Sequence, residues 1–289
     1  MCYAIAAPTS DRREQPLLRK LTLSHSRSSL SANCSTTADN LKQVLPADWT
    51  VSIHEPFVLA GDCQQEHLSR YYRDTIAPTA RALSIQYFDT PPPWPVTVVL
   101  CTSEESYREC HRCLRERERN EYAGTYSRSE HRVIVNIATG DGTVAHELTH
   151  ALAHADFPEL PEWLDEGLAS LYEECEFSSD GLRLIGLQNW RGVALRSAAQ
   201  KQKLRCIGEM ASAPFASADA SIDYAQARYL CLFLQKRNLL ESFYRKCRSH
   251  TKDDPDGTRS LTELMAIKDL SSVDTQFHEW LGTLKPDGG

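Results

Sequence analysis

The sequence has no excess of positive charge and no long apolar run. Over 289 residues the formal net charge is -7. Without a basic field the chain lacks the electrostatic attraction that nucleic acids and anionic membranes exert, so we expect neither as a partner. No stretch of the sequence approaches the roughly 18 apolar residues that a membrane span requires.

A recognisable secretion signal is also missing from the first residues. The apolar run from Met1 to Ala7 is shorter than the core of a signal peptide, and the charged residues from Asp11 to Glu14 follow almost at once. We therefore expect a cytoplasmic protein. Hydrophobic residues make up 41% of the chain, which is enough to form a core.

Ten cysteines are present, but their spacing does not resemble a disulfide framework. Most are scattered through a chain much larger than disulfide-built domains, so we interpret them as reduced thiols, mostly in the core. Cys110 and Cys113 are the exception, because C-x-x-C spacing occurs in zinc and redox sites. A second such pair is missing, and both lie in a helical pattern over Ser103–Arg119, so we favour a helix that buries two thiols.

The sequence pattern divides the chain into three parts. Residues 1–47 are rich in Ser, Thr, Arg and Asn without a sustained period, which predicts a mobile or loosely attached arm. Residues 48–160 combine helical stretches with short strands, and residues 161–289 show almost only helical patterns. We expect an α+β fold with an α/β lobe, a helical lobe and a site in the cleft between them.

Two strands and a turn are predicted in the α/β lobe. The strands are Val96–Cys101 and Arg132–Asn136, where β-branched and apolar residues are concentrated. A turn is predicted from Gly124 to Arg132. A helix is expected after Gly142.

That helix contains the sequence His146-Glu-Leu-Thr-His150. Helical residues four apart lie on one face, so both imidazoles can reach one metal ion. Glu147 lies about 100° round the helix and can reach a water molecule at the metal without being a ligand. Imidazole nitrogens suit zinc, and three protein ligands leave a position at which water becomes acidic near pH 7. The motif predicts a catalytic zinc site.

A catalytic zinc site needs a third ligand, and three residues are candidates. His154 continues the four-residue series but lies about 6 Å farther along the helix axis. Asp156 stands six residues after His150, an arrangement that needs a helix-breaking glycine where this chain has alanine. Glu166 lies on a second predicted helix, beginning at Pro161, which can face the first.

Together the two motifs resemble one family. His146-Glu-Leu-Thr-His150 followed by Trp163-Leu-Asp-Glu-Gly-Leu-Ala169 is similar to the gluzincins, the aminopeptidase-like and peptidase MA-like zinc metallopeptidases. The likeness extends from about Val96 to Leu284. It implies a zincin-like fold, in which a small sheet and the motif helix precede a mainly helical lobe.

The resemblance also implies roles for particular residues. One zinc ion per chain is held by His146, His150 and Glu166, the last of which belongs to the helical lobe. Glu147 is the general base and proton shuttle. The expected substrate is a peptide or protein.

Further roles follow from the same likeness. The edge of a strand ahead of the motif helix, here Val133–Asn136, holds the substrate in extended form. A residue of the later lobe stabilises the oxyanion, and by order along the chain we assign this role to Tyr224, with Tyr229 as the other candidate.

The chain departs from the family pattern in two respects. It has no Gly-x-Met-Glu-Asn segment to hold a free substrate amine, so aminopeptidase specificity is not supported. Ser170 stands where thermolysin-like members have an aspartate that orients a ligand histidine. Asp165 is one candidate for that hydrogen bond.

We therefore expect a zinc metallopeptidase in which Glu147 takes a proton from water and passes it to the leaving nitrogen. The alternative is a zincin-fold binding or scaffold protein without turnover. The presence of Glu147 means that the usual sequence mark of an inactive form is missing.

Overall fold

A computed structural model describes residues 15–115, 123–215 and 220–284 of the chain, with the backbone alone for residues 15–27. This part has a mixed α+β fold, as the sequence predicted. Its strands are β1 Thr50–His54, β2 Phe57–Gly61, β3 Val96–Cys101, β4 Gly124–Ser127, β5 Arg132–Asn136, β6 Cys175–Phe177 and β7 Leu184–Gly186. Its helices are α1 Gln15–Val44, α2 Gln65–Tyr71, α3 Ala77–Gln86, α4 Glu104–Leu114, α5 Asp141–Asp156, α6 Glu162–Leu171, α7 Arg191–Gln200, α8 Ile207–Ser212, α9 Ala220–Lys236, α10 Leu240–His250, α11 Thr258–Leu264 and α12 Leu270–Thr283.

The main sheet is mixed and has the strand order β1-β2-β3-β5-β4. Strands β2, β3 and β5 run parallel, whereas β1 and β4 pair antiparallel at the two edges. Every residue of β2 and β3 is buried. Alternate side chains of the central strands enter two different apolar clusters, one on each face, as expected for a sheet covered on both sides.

Helix α1 covers one face of the sheet, and this differs from the predicted arm. Cys34, Ala38 and Leu41 are buried on the same apolar cluster as Val99 and Ile134 of the sheet. These positions follow helical spacing, but two of the three are small residues in a segment rich in Ser and Asn, so the apolar face gives a weak sequence signal. The prediction of a loosely attached arm is wrong for residues 28–45, and residues 1–14 lie outside the described residues.

The predicted turn between Gly124 and Arg132 is replaced by a strand and a shorter turn. Strand β4 occupies Gly124–Ser127 and pairs with β5, so that Thr125 lies opposite Ile134. The two strands are joined by residues 128–131, where His131 has a positive φ of 49°. A strand of four residues is too short to show a reliable alternation of apolar and polar side chains.

The predicted strands β3 and β5 are confirmed, as are the helices of the second half of the chain. The sequence did not predict strands β1 and β2, the short helix α8 or the hairpin of β6 and β7. Both halves contribute to one continuous apolar core, in which Leu59 and Val98 of the sheet join Trp163, Leu168 and Phe233 of the helices. The predicted α/β lobe and helical lobe therefore share one apolar core.

The cysteines of the described ranges are free thiols, nine in number. Cys110 is buried on helix α4 and Cys113 is partly buried there, which confirms the predicted helix as far as Leu114; residues 116–119 of the predicted range lie outside the described residues. In the same ranges the groups of side chains that could hold a metal ion do not include this pair. A search of the described helices for one long and apolar enough to cross a membrane finds none.

Candidate metal centre

Helix α5 presents its histidines to a cleft while its other side packs into the core. Val144, Leu148 and Ala151 are completely buried, at spacings of four and three residues that form one helical face. The first turn of α5 lies against the backbone that follows α6. A Cβ atom at Gly142 would come within 2.1 Å of the carbonyl oxygen of Glu173, so this approach requires glycine.

Three side-chain atoms that could bind a metal ion lie close together in the cleft. The Nε2 atoms of His146 and His150 are 3.1 Å apart. The Oε2 atom of Glu166 lies 3.8 Å from the first and 3.5 Å from the second. One ligand atom from each residue lies within 4.8 Å of the others, and the three side chains are only partly exposed. These residues could hold a metal ion, and they are the three that the resemblance implied.

Asp165 orients one of these histidines, as the sequence analysis suggested. Its Oδ1 lies 2.7 Å from Nδ1 of His150, and its Oδ2 lies 2.8 Å from Nε2 of His154. Burial alone would raise the pKa of Asp165, but contact with the two histidines holds it well below its usual range. Burial would lower the pKa of His150, yet the carboxylates of Asp165 and Glu166 outweigh it and raise that pKa.

His154 thus contacts Asp165 and does not join His146 and Glu166 in the ligand group. It belongs to a second group that could hold a metal ion, with His150 and Asp165. The distances within that second group are those of ordinary hydrogen bonds. We therefore interpret it as the support of His150.

Glu173 lies beside the other histidine, and its position there was not predicted from the sequence. Its Oε1 lies 3.3 Å from Nδ1 of His146. The guanidinium of Arg191 contacts both oxygens of Glu173, at 3.0 and 2.9 Å. Burial would raise the pKa of Glu173, but His146 and Arg191 lower it to about 2. The available signal was its position seven residues, or two helical turns, after Glu166.

The side chain of Glu147 lies directly beneath the edge strand β4. It is only 7% exposed. A Cβ atom at Gly124 would lie 3.0 Å from both Cγ and Oε1 of Glu147 and 2.6 Å from Cγ2 of Thr143, so glycine in the strand leaves the space that the carboxylate uses. Burial raises the pKa of Glu147, while the neighbouring histidines act in the opposite direction.

These residues line an open cleft of about 1380 Å³. Its walls are strand β4, the first turns of α5 and the segment that leads into α7. Trp190 in that segment is 70% exposed, and the Arg191 guanidinium lies 4.4 Å from its ring centroid.

The two candidate tyrosines of α9 occupy different places. Tyr224 lines the cleft, with the Arg191 guanidinium 5.9 Å from its ring centroid. Tyr229 is completely buried, and its hydroxyl donates to the carbonyl of Asn189 and accepts from the Asn189 backbone N–H. Tyr229 is therefore a structural residue, and of the two only Tyr224 lines the cleft.

Asp156, the other candidate ligand, belongs to a separate network. Its Oδ1 accepts hydrogen bonds from the backbone N–H groups of Asp89 and Thr90, at 2.9 and 2.8 Å. Its Oδ2 accepts from the hydroxyl of Tyr244, at 3.1 Å, and pairs with Arg248. This carboxylate joins α5 to α10 and the segment after α3.

The prediction that the strand Val133–Asn136 holds the substrate is wrong. Val133–Asn136 belongs to β5, which lies inside the sheet with β3 on one side and β4 on the other. Its backbone groups are therefore engaged by both neighbours. Among the described strands, the sheet edge next to the motif helix is β4, which lines the cleft through residues such as Gly124 and Tyr126.

In comparisons with known proteins, no family model matches the chain, and no curated protein matches it either. The interpretation of the site therefore depends on its own side chains and on the two motifs.

Proposed function

We propose that this chain is a zinc-dependent metallopeptidase with a zincin-like fold. The ligands are His146, His150 and Glu166, and Glu147 is the general base. The observation that carries the proposal is the convergence of three possible ligand atoms at the cleft, next to a buried carboxylate beneath the edge strand β4.

The ligand group fits zinc by the chemistry of its atoms. Two imidazole nitrogens and one carboxylate oxygen are the protein ligands of many catalytic zinc sites, in which a further position stays open. Three acceptors without a shared proton repel one another, so a cation between them stabilises the arrangement. The cleft lies on the open side of the group, where water and substrate can enter.

When bound, a zinc ion acts as a Lewis acid that polarises a carbonyl and makes water acidic near neutral pH. The protein's own residues supply the remaining functions. Glu147 accepts a proton from the attacking water and delivers it to the leaving nitrogen, which general-base catalysis requires. Asp165 holds the ring of His150 in place, and Tyr224 is the residue to which we assign stabilisation of the oxyanion.

Strand β4 gives the substrate a place to bind. An extended peptide can add to a free sheet edge by main-chain hydrogen bonds, which depend little on its sequence. Because Gly124 brings this edge against Glu147, a peptide on β4 has its backbone close to the base. This geometry favours a peptide or protein substrate over a small molecule.

The test compares the wild type with Glu147→Gln. The amide keeps the size of the side chain but removes the basic oxygen, so one zinc ion per chain and peptide binding should be retained. Turnover should fall by at least about a hundredfold, the lower end of what general-base catalysis contributes. Zinc is measured by elemental analysis and cleavage of a proteome-derived peptide library by mass spectrometry.

Glu162→Gln, the same change at an exposed position of α6, is the control and should cleave like the wild type. Equal cleavage by Glu147→Gln would exclude this residue as the base. A wild type that binds zinc and peptides but cleaves none would instead be a binding or scaffold protein.

A further inference from the structure

His146 has two ring nitrogens, and they face different partners. Its Nε2 faces Nε2 of His150 and the carboxylate of Glu166. Its Nδ1 is buried and has no well-aligned hydrogen bond among the described residues, and the nearest carboxylate oxygen is Oε1 of Glu173 at 3.3 Å. A neutral imidazole that gives its Nε2 lone pair to a metal carries its proton on Nδ1. That N–H needs an acceptor, because an unpaired buried donor destabilises the folded protein.

Arg191 fixes the carboxylate of Glu173. Its Nε and Nη2 atoms lie 3.0 and 2.9 Å from the two carboxylate oxygens, a two-point contact that sets both the position and the plane of the carboxylate. Both side chains are about four-fifths buried: that of Arg191 is 17% exposed and that of Glu173 is 20% exposed. The pair therefore has less competition from water than a surface ion pair.

The backbone around Glu173 is also fixed. Its carbonyl oxygen lies where a side chain on Gly142 would be, so this segment contacts the first turn of α5. The completely buried Arg228 donates to the carbonyls of Ser170 and Leu171, the last residues before this segment. Glu173 thus reaches His146 from a rigid position.

The position four residues after Glu166 does not fill this role. Ser170 is completely buried, and in the described part of the chain its hydroxyl has no hydrogen-bond partner. We propose that Glu173 and Arg191 are positioning residues for His146: Glu173 accepts the Nδ1 proton and directs Nε2 to the metal, and Arg191 holds Glu173. This inference rests on the zinc site proposed above.

Zinc affinity tests the inference without any measurement of turnover. Zinc binding to the full chain is measured by competition with a chromophoric chelator. Glu173→Gln should weaken zinc binding by about 10–100-fold, the usual effect of losing a residue that supports a ligand. Arg191→Met should weaken zinc binding in the same direction. The neighbouring Glu174→Gln, at an exposed position, is the matched control and should keep the wild-type affinity.

The double variant separates a positioning role from a general loss of stability. If Arg191 acts through Glu173, then Glu173→Gln combined with Arg191→Met should bind zinc about as weakly as Glu173→Gln alone. The visible absorption spectrum of the cobalt-substituted protein should also change in Glu173→Gln, since it reports the geometry of the ligands. Should Glu173→Gln fail to fold, Arg191→Met still tests the inference.

The outcomes distinguish this inference from the proposed function. A wild type that binds zinc tightly, with wild-type affinity and cobalt spectrum in Glu173→Gln, overturns the positioning role and leaves the metal site in place. Additive effects of the two substitutions overturn the role of Arg191. A wild type that does not bind zinc removes both proposals.

Discussion

Helix α5 carries two groups of buried polar side chains, and they are built in opposite ways. Near its C-terminus, Asp156 accepts hydrogen bonds from two backbone N–H groups and a tyrosine hydroxyl and pairs with Arg248. In its middle, His146 and His150 bring acceptor atoms toward a third acceptor on Glu166. The first group is satisfied by the protein, whereas the second could hold a metal ion.

The difference distinguishes a structural carboxylate from a candidate metal ligand. Both Asp156 and Glu166 are acidic residues within hydrogen-bonding reach of basic side chains, and by sequence both were candidates for the third ligand. Only the identity of the facing atoms separates them: donors surround Asp156, while imidazole nitrogens of the ligand group face Glu166. Buried polar atoms are normally paired, and the zinc ion proposed above would pair the atoms of the second group.

The largest expected effect comes from removing a ligand. Glu166→Ala should weaken zinc binding by about a thousandfold, because the roughly 10–16 kcal/mol with which proteins hold structural zinc is shared among three or four ligands. His154→Ala should have a much smaller effect, since His154 contacts Asp165 and not the ligand group. Zinc retained after dialysis, measured by elemental analysis, checks both. Full zinc in Glu166→Ala would contradict the assignment of the ligands.

A smaller effect is expected for the two tyrosines of α9. They also contrast a residue that lines the cleft, Tyr224, with a buried structural residue, Tyr229. Tyr224→Phe should lower turnover by about a hundredfold with little change in zinc, the effect of losing one oxyanion donor. Tyr229→Phe removes a hydroxyl that is paired with Asn189, so it should cost about 1 kcal/mol of folding free energy and leave turnover unchanged. Steady-state kinetics and chemical denaturation measure the two effects. The opposite pattern would exclude Tyr224.

The smallest effect on zinc binding should come from Asp156→Asn. The amide keeps the shape of the side chain but removes the charge beside Arg248, so the free energy of unfolding should fall by about 2 kcal/mol. Zinc content should stay at the wild-type value. Thermal unfolding with and without zinc is the measurement. A loss of zinc from folded Asp156→Asn would break the distinction between the two ends of α5.

Local patterns were sufficient to predict the central part of the site. The spacing of His146 and His150 requires only one helix, and Glu166 and Asp165 are adjacent residues of the next helix. Helical geometry thus brings these four side chains together with one short connection. The two helices themselves, α5 with sixteen residues and α6 with ten, were predictable because each is defined by a local sequence pattern.

Features that depend on contacts distant in sequence were not predictable. The role of Glu173 depends on Arg191, eighteen residues farther on, and on the approach of its backbone to Gly142. The edge position of β4 depends on the order of all five strands of the sheet. The packing of α1 depends on Cys34 and Ala38, which are small enough to lie close to the sheet but add little to a hydrophobic pattern.

The exposure of Trp190 gives the cleft a built-in fluorophore. Its indole is 70% exposed and lies under the guanidinium of Arg191, whereas Trp163 is 1% exposed in the core. A ligand in contact with Trp190 would displace water from its side chain and change the wavelength and intensity of its emission, whereas Trp163 would remain shielded in the core. Occupancy of the cleft can thus be followed optically in the Glu147→Gln protein, without labelling the protein or consuming the peptide.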